Sequence, residues 1–252
     1  MYHRKWFITG FIKLVASLMG IFCVLGELCE HLCKRGKGHV GFYNKFVKRG
    51  FDIVITSFAV IILCPFYLII SVAIVIEDGF PVFYRADRGG YKNKSFKIIK
   101  FRSMVKDADK IGGGTTALHD MRITKVGNIL RKTKLDELPQ LIQVLLGEMS
   151  LIGPRPELLK YTEQYEEKYK DIMKVRPGIT DFSSVRFINL DEIVGEENAD
   201  EMYEKYVLKV KNDLRVKYAH MVSFHTDIYI LFKTLGAVLK KAFGFFIKKE
   251  HR

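Results

Sequence analysis

The longest apolar segment of the chain covers residues 53–76, where 24 consecutive positions carry no charged side chain. A straight helix of that length measures about 36 Å and exceeds the hydrocarbon core of a bilayer, which is about 30 Å thick. Pro65 lies near the middle of the segment and removes a helical hydrogen bond, so we expect a kink or a break there. The pattern predicts a membrane helix that is interrupted at Pro65.

Basic residues flank this segment on both sides. Lys34, Arg35, Lys37, Lys45, Lys48 and Arg49 precede it with no acid among them, and Arg85, Arg88, Lys92, Lys94, Lys97 and Lys100 follow it. Because cytoplasmic flanks attract Lys and Arg, two basic flanks favour a re-entrant helix–break–helix over residues 45–77 with both ends in the cytosol. An ordinary membrane span that is kinked at Pro65 is the alternative.

The two ends of the chain also carry apolar patterns. Residues 1–44 form a hydrophobic and basic extension whose longest uncharged run, residues 14–26, is too short to cross a bilayer comfortably. We expect an uncleaved interfacial or short membrane helix there, and a second membrane pass stays open. Over residues 224–252, phenylalanines and leucines recur at helical spacing among lysines. This pattern predicts a basic amphipathic helix that docks on the catalytic domain near residues 227–235 and contacts lipid headgroups towards its end.

The segment between these elements, residues 78–223, has the mixed pattern of a compact cytosolic catalytic domain. Its composition predicts strands over residues 81–84 and 95–101 and helices over residues 157–173 and 198–215. The glycine run 112–114 lacks the Gly-Lys-Ser/Thr ending of a phosphate loop, so we interpret it as a mobile loop. The predicted fold class is α/β, mostly helical with a small β element, anchored by the re-entrant membrane helix and by amphipathic interfacial helices.

Length and charge limit the class of protein. A chain of 252 residues that is 48% apolar can form one substantial domain with appendages. Its formal net charge of +13 indicates an anionic partner, for which nucleic acid, an anionic membrane surface and a nucleotide substrate are the candidates. Cys29, His31 and Cys33 lack a fourth ligand and lie in an apolar segment, so we do not predict a zinc site.

The segment of residues 134–156 is the most informative for chemistry. Asp136 and Glu137 open an apolar helical run, and Pro139 is tolerated only in a first helical turn. We therefore expect a helix that begins near Asp136, where free backbone N–H groups favour anions. On these residues alone, a helix cap at Asp136 and a first-turn acid at Glu137 are favoured over phosphate chemistry.

An ordered series of motifs shifts that balance. The series is Lys48-Arg49-x-x-Asp52, Pro81-Val82-Phe83-Tyr84-Arg85, Lys100-Phe101-Arg102-Ser103-Met104, Arg122-x-Thr124-x-x-Gly127-x-x-Leu130-Arg131, Leu135-Asp136-Glu137-Leu138-Pro139, Gly153-Pro154-Arg155-Pro156 and Arg176-Pro177-Gly178-Ile179-Thr180. In order and spacing it resembles the bacterial sugar transferase family, the monotopic phosphoglycosyl transferases that start glycan assembly on a polyprenol phosphate carrier. The resemblance covers about residues 45–240. An ordered series of this kind is far more specific than a single Asp-Glu pair.

The resemblance implies a function and a mechanism. Sugar 1-phosphate would pass from a nucleotide diphosphate sugar, by analogy a UDP-sugar, to polyprenol (undecaprenyl) phosphate and so initiate glycan biosynthesis. Asp136 would be the nucleophile that forms an aspartyl phosphosugar. Glu137, together with Asp136, would bind Mg²⁺. The protein would lie on the bacterial inner (cytoplasmic) membrane, with its catalytic domain facing the cytosol and in contact with membrane lipids.

Further site residues follow from the same motifs. Lys100, Arg102, Arg155 and Arg176 are candidates for binding the phosphates, since arginine offers two parallel donors to a phosphate. Asp227 matches a late acidic position of the family, where it would act in the site or hold a basic side chain. Asp181-Phe182 departs from the Gly-Trp that many family members have after Arg-Pro-Gly-Ile-Thr, so the resemblance does not carry a sugar or nucleotide preference over to this chain.

Two other classes of protein were weighed against this function. A nucleic-acid binder would explain the charge, but the sequence contains no clear recognition helix or zinc site, so nucleic acid is not predicted as a partner. A non-enzymatic basic scaffold on the membrane is the alternative function. It leaves the ordered carboxylates, arginines and Pro/Gly turns without a role. The sequence leaves homo-oligomerisation open.

Overall fold

The structure is a computed structural model that describes residues 43–111 and 113–250. Nearly all of the N-terminal extension, residues 1–44, therefore lies outside the described residues. The α-helices are α1 (Lys48–Asp78), α2 (Ala108–Ile111), α3 (Lys125–Thr133), α4 (Gln140–Leu146), α5 (Leu159–Thr162), α6 (Phe182–Arg186), α7 (Leu190–Val194), α8 (Ala199–Met202), α9 (Lys209–His220) and α10 (Phe224–Glu250). The strands are β1 (Phe83–Gly89), β2 (Ser95–Phe101), β3 (Ser150–Ile152) and β4 (Gly178–Thr180).

Helix α1 is the one helix of the described chain that is long and apolar enough to cross a membrane. It is helical throughout its 31 residues, with Pro65 inside it. The predicted break is therefore not present as an interruption of the helix, because a long helix tolerates the single hydrogen bond that proline removes. The re-entrant path stays a prediction.

Both ends of α1 pack against the rest of the protein, whereas its middle is exposed. Near the first end, Lys48, Asp52 and Thr56 are buried, and near the second end Ile70 and Ile74 are buried. Exposed apolar side chains lie between them and include Phe58, Ile61, Ile62, Phe66, Leu68 and Ile69. An exposed apolar surface of this extent is typical of contact with lipid.

Two small sheets position the central part of the domain. Strands β1 and β2 form an antiparallel hairpin in which Phe83 pairs with Phe101 and Gly89 pairs with Ser95. The prediction of a strand at residues 95–101 is confirmed, whereas the first strand is longer and begins later than predicted. Strands β3 and β4 are parallel. A Cβ atom on Gly178 would lie 2.1 Å from the backbone N of Gly153, so only glycine allows the two turns to approach this closely.

The helical predictions for the second half of the domain had mixed outcomes. Helical structure runs continuously through α8, a π-helical segment and α9, as expected for residues 198–215. A single helix over residues 157–173 is wrong, because that segment consists of α5 and a 3₁₀ stretch over Glu167–Lys174. Tyr161 packs against Tyr203, while the hydroxyl of Tyr169 donates to Asp213. These separate tertiary contacts outweigh the local preference for one continuous helix.

The C-terminal helix docks on the domain as predicted. In α10, Ile230 is fully buried in a cluster with Ile152, Val175 and Tyr218. Asp227, one turn earlier, accepts hydrogen bonds from Lys48 Nζ at 2.6 Å and from the Tyr218 hydroxyl at 2.6 Å. Helix α10 therefore joins the first end of α1 to the catalytic core.

Candidate active site

A cavity of about 1690 Å³ opens in the described domain. Its walls come from β1, β2, α3, the turn before α4, the segment after Gly153, α6, α9 and α10. The side chains of Lys100, Asp136, Glu137 and Arg155 all line this cavity. The fold thus brings together four of the residues that the sequence motifs predict.

The carboxylate pair lies on a tight turn. Lys134 ends α3 in the left-handed conformation, with φ of 61°, and Leu135–Glu137 follow as one turn of 3₁₀ helix. Helix α4 begins at Gln140 with Pro139 as its N-cap, so the expected start near Asp136 is four residues too early. The left-handed turn at Lys134 redirects the chain and forces the tighter 3₁₀ geometry before α4.

Asp136 is the more buried member of the pair, with 5% of its surface exposed. Its Oδ1 atom has no hydrogen-bond partner among the described residues. Burial raises the pKa of Asp136, and the negative charge of Glu137 raises it further, while Lys100 and Lys134 oppose both effects. Asp136 therefore presents a carboxylate oxygen, Oδ1, that lies in a basic cavity and has no hydrogen-bond partner among the described residues.

Glu137 is fixed by two basic side chains. Both Nη atoms of Arg155 donate to its carboxylate, and Lys100 Nζ lies 3.5 Å from its Oε1. Burial alone would raise the pKa of Glu137, but Arg155 and Lys100 outweigh burial and bring the pKa well below its usual range. Burial lowers the pKa of Lys100 to about 8, against the attraction of Glu137. Glu137 is thus a permanent anion that orients the two cations beside Asp136.

Asp181 and Phe182, which depart from the family's sequence pattern, lie beside Arg155, and Asp181 helps to fix its position. Asp181 is fully buried, caps α6 through the Ser184 N–H, and accepts from the backbone N–H of Arg155 at 3.1 Å. The Nη1 atom of Arg155 also donates to the Ile179 carbonyl at 2.6 Å. Phe182 packs against the ring of Tyr218. The residues that replace the family's Gly-Trp therefore hold the turn that carries Arg155.

Three predicted residues lie away from the carboxylate pair. Arg102 Nη2 donates to the carbonyls of Asp78 and Gly79 at the end of α1. Arg176 stacks on the Tyr91 ring, and its Nε donates to the Gly147 carbonyl. Neither arginine lines the cavity. Asp227 forms an ion pair with Lys48, which matches the second role considered for it, that of holding a basic side chain. Pro65, the predicted membrane break, lies inside α1.

Several cavity residues were missed by the sequence analysis. Arg88, Arg131, Lys134, Glu157, Tyr203, Lys211 and Arg215 line the cavity, as do Thr234 and Lys241 of α10. A signal for two of them was present. Lys211 and Arg215 share a helical face with Val207 and Tyr218, both of which are buried, so they are charges at core positions.

The carboxylate pair fits the predicted Mg²⁺. Among the described residues, no group of three His, Cys, Asp or Glu side chains converges on one point. Magnesium does not require such a group, because one or two carboxylates commonly bind it together with substrate phosphates and water. Asp136 Oδ1 offers a ligand without a competing partner, whereas Glu137 would exchange part of its contact with Arg155 or Lys100.

Comparison with known proteins yields relatives of one kind. The chain is 38% identical over 206 residues to the UDP-glucose:undecaprenyl-phosphate glucose-1-phosphate transferase of Escherichia coli, covering 79% of this chain and 42% of that protein. It is 36% identical to the UDP-N-acetylgalactosamine-undecaprenyl-phosphate N-acetylgalactosaminephosphotransferase of Aeromonas hydrophila, covering 77% of this chain and 44% of that protein. The exopolysaccharide production protein ExoY of Rhizobium meliloti is 34% identical, with 76% of this chain and 84% of that protein covered.

The chain therefore spans less than half the length of the first two relatives and most of the third. The sequence profile of the bacterial sugar transferases matches residues 43–241, which include α1, both small sheets, the cavity and most of α10. The match contains the Asp136-Glu137 turn and the Arg155 segment that the fold brings together. The chain belongs to the bacterial sugar transferase family.

Proposed function

We propose that this protein transfers a sugar 1-phosphate from a nucleotide diphosphate sugar, of the UDP-sugar class, to polyprenol phosphate. The observation that carries the proposal is the buried Asp136 in a basic cavity, beside a Glu137 that is bound by Arg155 and Lys100. The printed names of the E. coli and Aeromonas relatives describe sugar-phosphate transfer to undecaprenyl phosphate. The name of the Rhizobium relative adds exopolysaccharide production as the pathway class.

In the proposed first step, an oxygen of Asp136 attacks the β-phosphorus of the donor. A bond forms between that oxygen and phosphorus, the bond from phosphorus to the bridging oxygen breaks, and nucleoside monophosphate leaves with the electron pair. Lys100, Lys134 and Arg131 favour the ionised form of Asp136 that this attack requires. Arg155 and Lys100 are charged donors beside the site of attack and would neutralise the phosphate oxygens.

In the proposed second step, a phosphate oxygen of polyprenol phosphate attacks the same phosphorus. The bond between phosphorus and Asp136 breaks, which regenerates the carboxylate and yields a polyprenyl-diphosphate sugar. A bound Mg²⁺ would supply charge neutralisation for the pyrophosphate, with Asp136 and Glu137 as the residues that hold it. The aspartate therefore acts twice, as nucleophile and then as leaving group.

We infer that α1 enters one leaflet and returns to the cytosolic face. Asp52 accepts from Ser150 Oγ at 2.7 Å near one end of α1, and Glu77 accepts from the Lys125 backbone N–H at 2.7 Å at the other end. Both ends thus bind the same domain, while the apolar middle is exposed. A helix that crossed the bilayer would carry its two ends to opposite sides. Together with the basic flanks of α1, which favour the cytosolic side, this placement supports an inner-membrane location with the cavity facing the cytosol.

The scaffold alternative is not favoured. A scaffold needs an exposed surface, whereas here charged side chains are buried around a cavity, and burial of charge is costly without a function or a full set of partners. Membership of a transferase family points the same way. No observation on the described chain favours a second function.

The test is a comparison of Asp136→Asn with Asp87→Asn, a matched change at an exposed aspartate. In membranes that contain polyprenol phosphate and a UDP-sugar, Asp136→Asn should reduce UMP release by several orders of magnitude. Asp87→Asn should keep normal activity. Mass spectrometry of the unchanged protein with donor alone should find the sugar phosphate on Asp136. Turnover by Asp136→Asn at a rate near that of the unchanged protein would refute the covalent mechanism.

A further inference from the structure

A second group of polar side chains, four of them buried and one half-buried, lines the cavity beyond Arg155. We call Arg88, Glu157, Tyr203, Lys211 and Arg215 the inner polar cluster. Arg215 is 1% exposed, Tyr203 is 4% exposed, and Glu157 and Lys211 are each 9% exposed. Arg88 comes from β1, and Lys211 and Arg215 come from α9. Three basic side chains therefore meet at one wall of the cavity with a single carboxylate among them.

The acceptors of this wall are already occupied. Glu157 Oε2 accepts from Arg215 Nη1 at 3.0 Å and from the Tyr203 hydroxyl at 2.5 Å, and Oε1 accepts from the Leu158 N–H. The nearby Asp181 accepts from Ser183, Ser184 and the Arg155 N–H. Each carboxylate oxygen of this region thus already accepts at least one hydrogen bond from a neighbouring residue.

Two arginine donors are left without partners. Nη1 of Arg88 and Nε of Arg215 are buried and form no hydrogen bond with the described residues, although Asp181 lies 4.0 Å from Arg215 Nε. A buried donor without an acceptor is unfavourable by roughly 1–3 kcal/mol, and by more when the group is charged. These two donors can bind a ligand that brings further acceptor atoms.

The inner polar cluster is electrostatically continuous with the reacting carboxylates. Arg155, which binds Glu137, is close enough to repel both Arg88 and Lys211. Arg88 in turn repels Lys100. A row of positive charge therefore extends from the site of attack to Arg215. A ligand along this row should be anionic near Arg155 and rich in acceptors beyond it.

We propose that the inner polar cluster is the subsite for the nucleoside monophosphate half of the donor, which leaves in the first step. This inference rests on the function proposed above and assigns the leaving half of the donor to Arg88, Lys211 and Arg215. A nucleoside monophosphate supplies phosphate oxygens and base carbonyls to the unpaired arginine donors. Sugar hydroxyls would bring as many donors as acceptors, which this wall does not need.

The polyprenol phosphate is less suited to this wall. The inner polar cluster is mostly buried and lies on β1, the segment after Arg155, the π-helical segment Tyr203–Leu208 and α9. Lys240 and Lys241 of the C-terminal helix α10 line a different part of the cavity wall. Separate ends for nucleotide and carrier would leave Asp136 between them, as the two-step transfer requires.

The experiment measures binding of UMP to the full-length protein in detergent micelles by isothermal titration calorimetry. Arg88→Gln should raise the Kd roughly 10- to 100-fold, the loss expected for a hydrogen bond to a charged group. Arg85→Gln is the matched control, because Arg85 is exposed on the same strand and does not line the cavity. Lys211→Met tests the α9 side of the wall and should weaken UMP binding in the same direction.

The outcomes separate this inference from the proposed function. If sugar-phosphate transfer proceeds but UMP binds Arg88→Gln and Lys211→Met as tightly as the unchanged protein, the subsite assignment is overturned while the function stands. A change in the preference among UDP-sugars, with UMP affinity unchanged, would assign the wall to the sugar and also overturn it. Absence of transfer by the unchanged protein would instead reject the function. Thermal unfolding of each variant excludes a folding defect as the cause.

Discussion

The substitution Asp227→Asn removes one buried charge that joins the first end of α1 to α10. Asp227 accepts from Lys48 Nζ at 2.6 Å, from the Tyr43 hydroxyl at 2.8 Å and from the Tyr218 hydroxyl at 2.6 Å. Lys48 is only 5% exposed. Asparagine keeps the shape of the side chain but leaves the Lys48 ammonium in the interior without this counter-ion.

The expected effect on stability is large. Removal of one partner from a buried ion pair typically costs about 3–5 kcal/mol, because the remaining charge stays desolvated. Asp52 also attracts Lys48, so we expect a value near the lower end of that range. For a protein of this size, each kcal/mol lowers the Tm by roughly 2–4 °C, so a cost of about 3 kcal/mol gives a decrease of about 6–12 °C.

The assay is thermal unfolding in detergent, followed by circular dichroism at one fixed scan rate. Asp171→Asn is the control, because it weakens solvent-accessible pairs with Lys174 and His220 and should leave the Tm almost unchanged. The double change Lys48→Met with Asp227→Leu removes both charges and should recover much of the lost stability. A decrease of less than 2 °C for Asp227→Asn would refute the reasoning, since Lys48 would then find a partner elsewhere.

Three further changes test other parts of the structure. Tyr67→Phe removes the hydrogen bond to the Leu138 carbonyl and should lower kcat up to about tenfold. The control Tyr206→Phe, at an exposed tyrosine, should leave kcat unchanged. Equal kcat values for the two variants would show that the Tyr67 contact does not position the turn of Asp136 and Glu137. Lys134→Gly relieves the left-handed backbone and should stabilise the fold by about 1 kcal/mol in denaturant titration; a loss of stability would contradict this. Burial lowers the pKa of Lys211 to about 7, so the unfolded chain binds a proton that the folded chain releases between pH 7 and the usual lysine range. Stability should therefore rise with pH across that window, and the rise in Tm from pH 7 to pH 9 should be smaller in Lys211→Met; identical slopes would contradict the pKa.

The sequence was most informative where chemistry and short-range pattern coincide. Asp136, Glu137 and Arg155 lie together as the motifs predict, and the strand at residues 95–101 and the C-terminal helix were also found. Arg102 shows the limit of this reasoning. Lys100 and Arg102 are two residues apart and would share a face of one strand, but β2 ends at Phe101 and the chain turns Arg102 towards the end of α1.

Long-range contacts explain the other omissions. Arg88 reaches the cavity only because the β1–β2 hairpin folds over the segment of Glu157, where the Gly89 N–H donates to the Glu157 carbonyl. The lysines of α10 indicated a lipid-facing surface, yet Lys241 donates to the Ile188 carbonyl and α10 forms one wall of the cavity. No local pattern specifies which partner a basic helix face will meet.

The contacts of α1 also bear on how the enzyme can be handled. Arg49 donates to the Val144 and Leu145 carbonyls at the last turn of α4, and Tyr67 donates to the Leu138 carbonyl just before α4 begins. Ile70 and Ile74 complete the apolar cluster around Phe101 and Leu130. A fragment cut after residue 78 would expose this cluster and leave those carbonyls unpaired, so it should aggregate and not yield a soluble catalytic domain. Purification, crystallisation and inhibitor screening therefore require the intact chain in detergent or a lipid nanodisc.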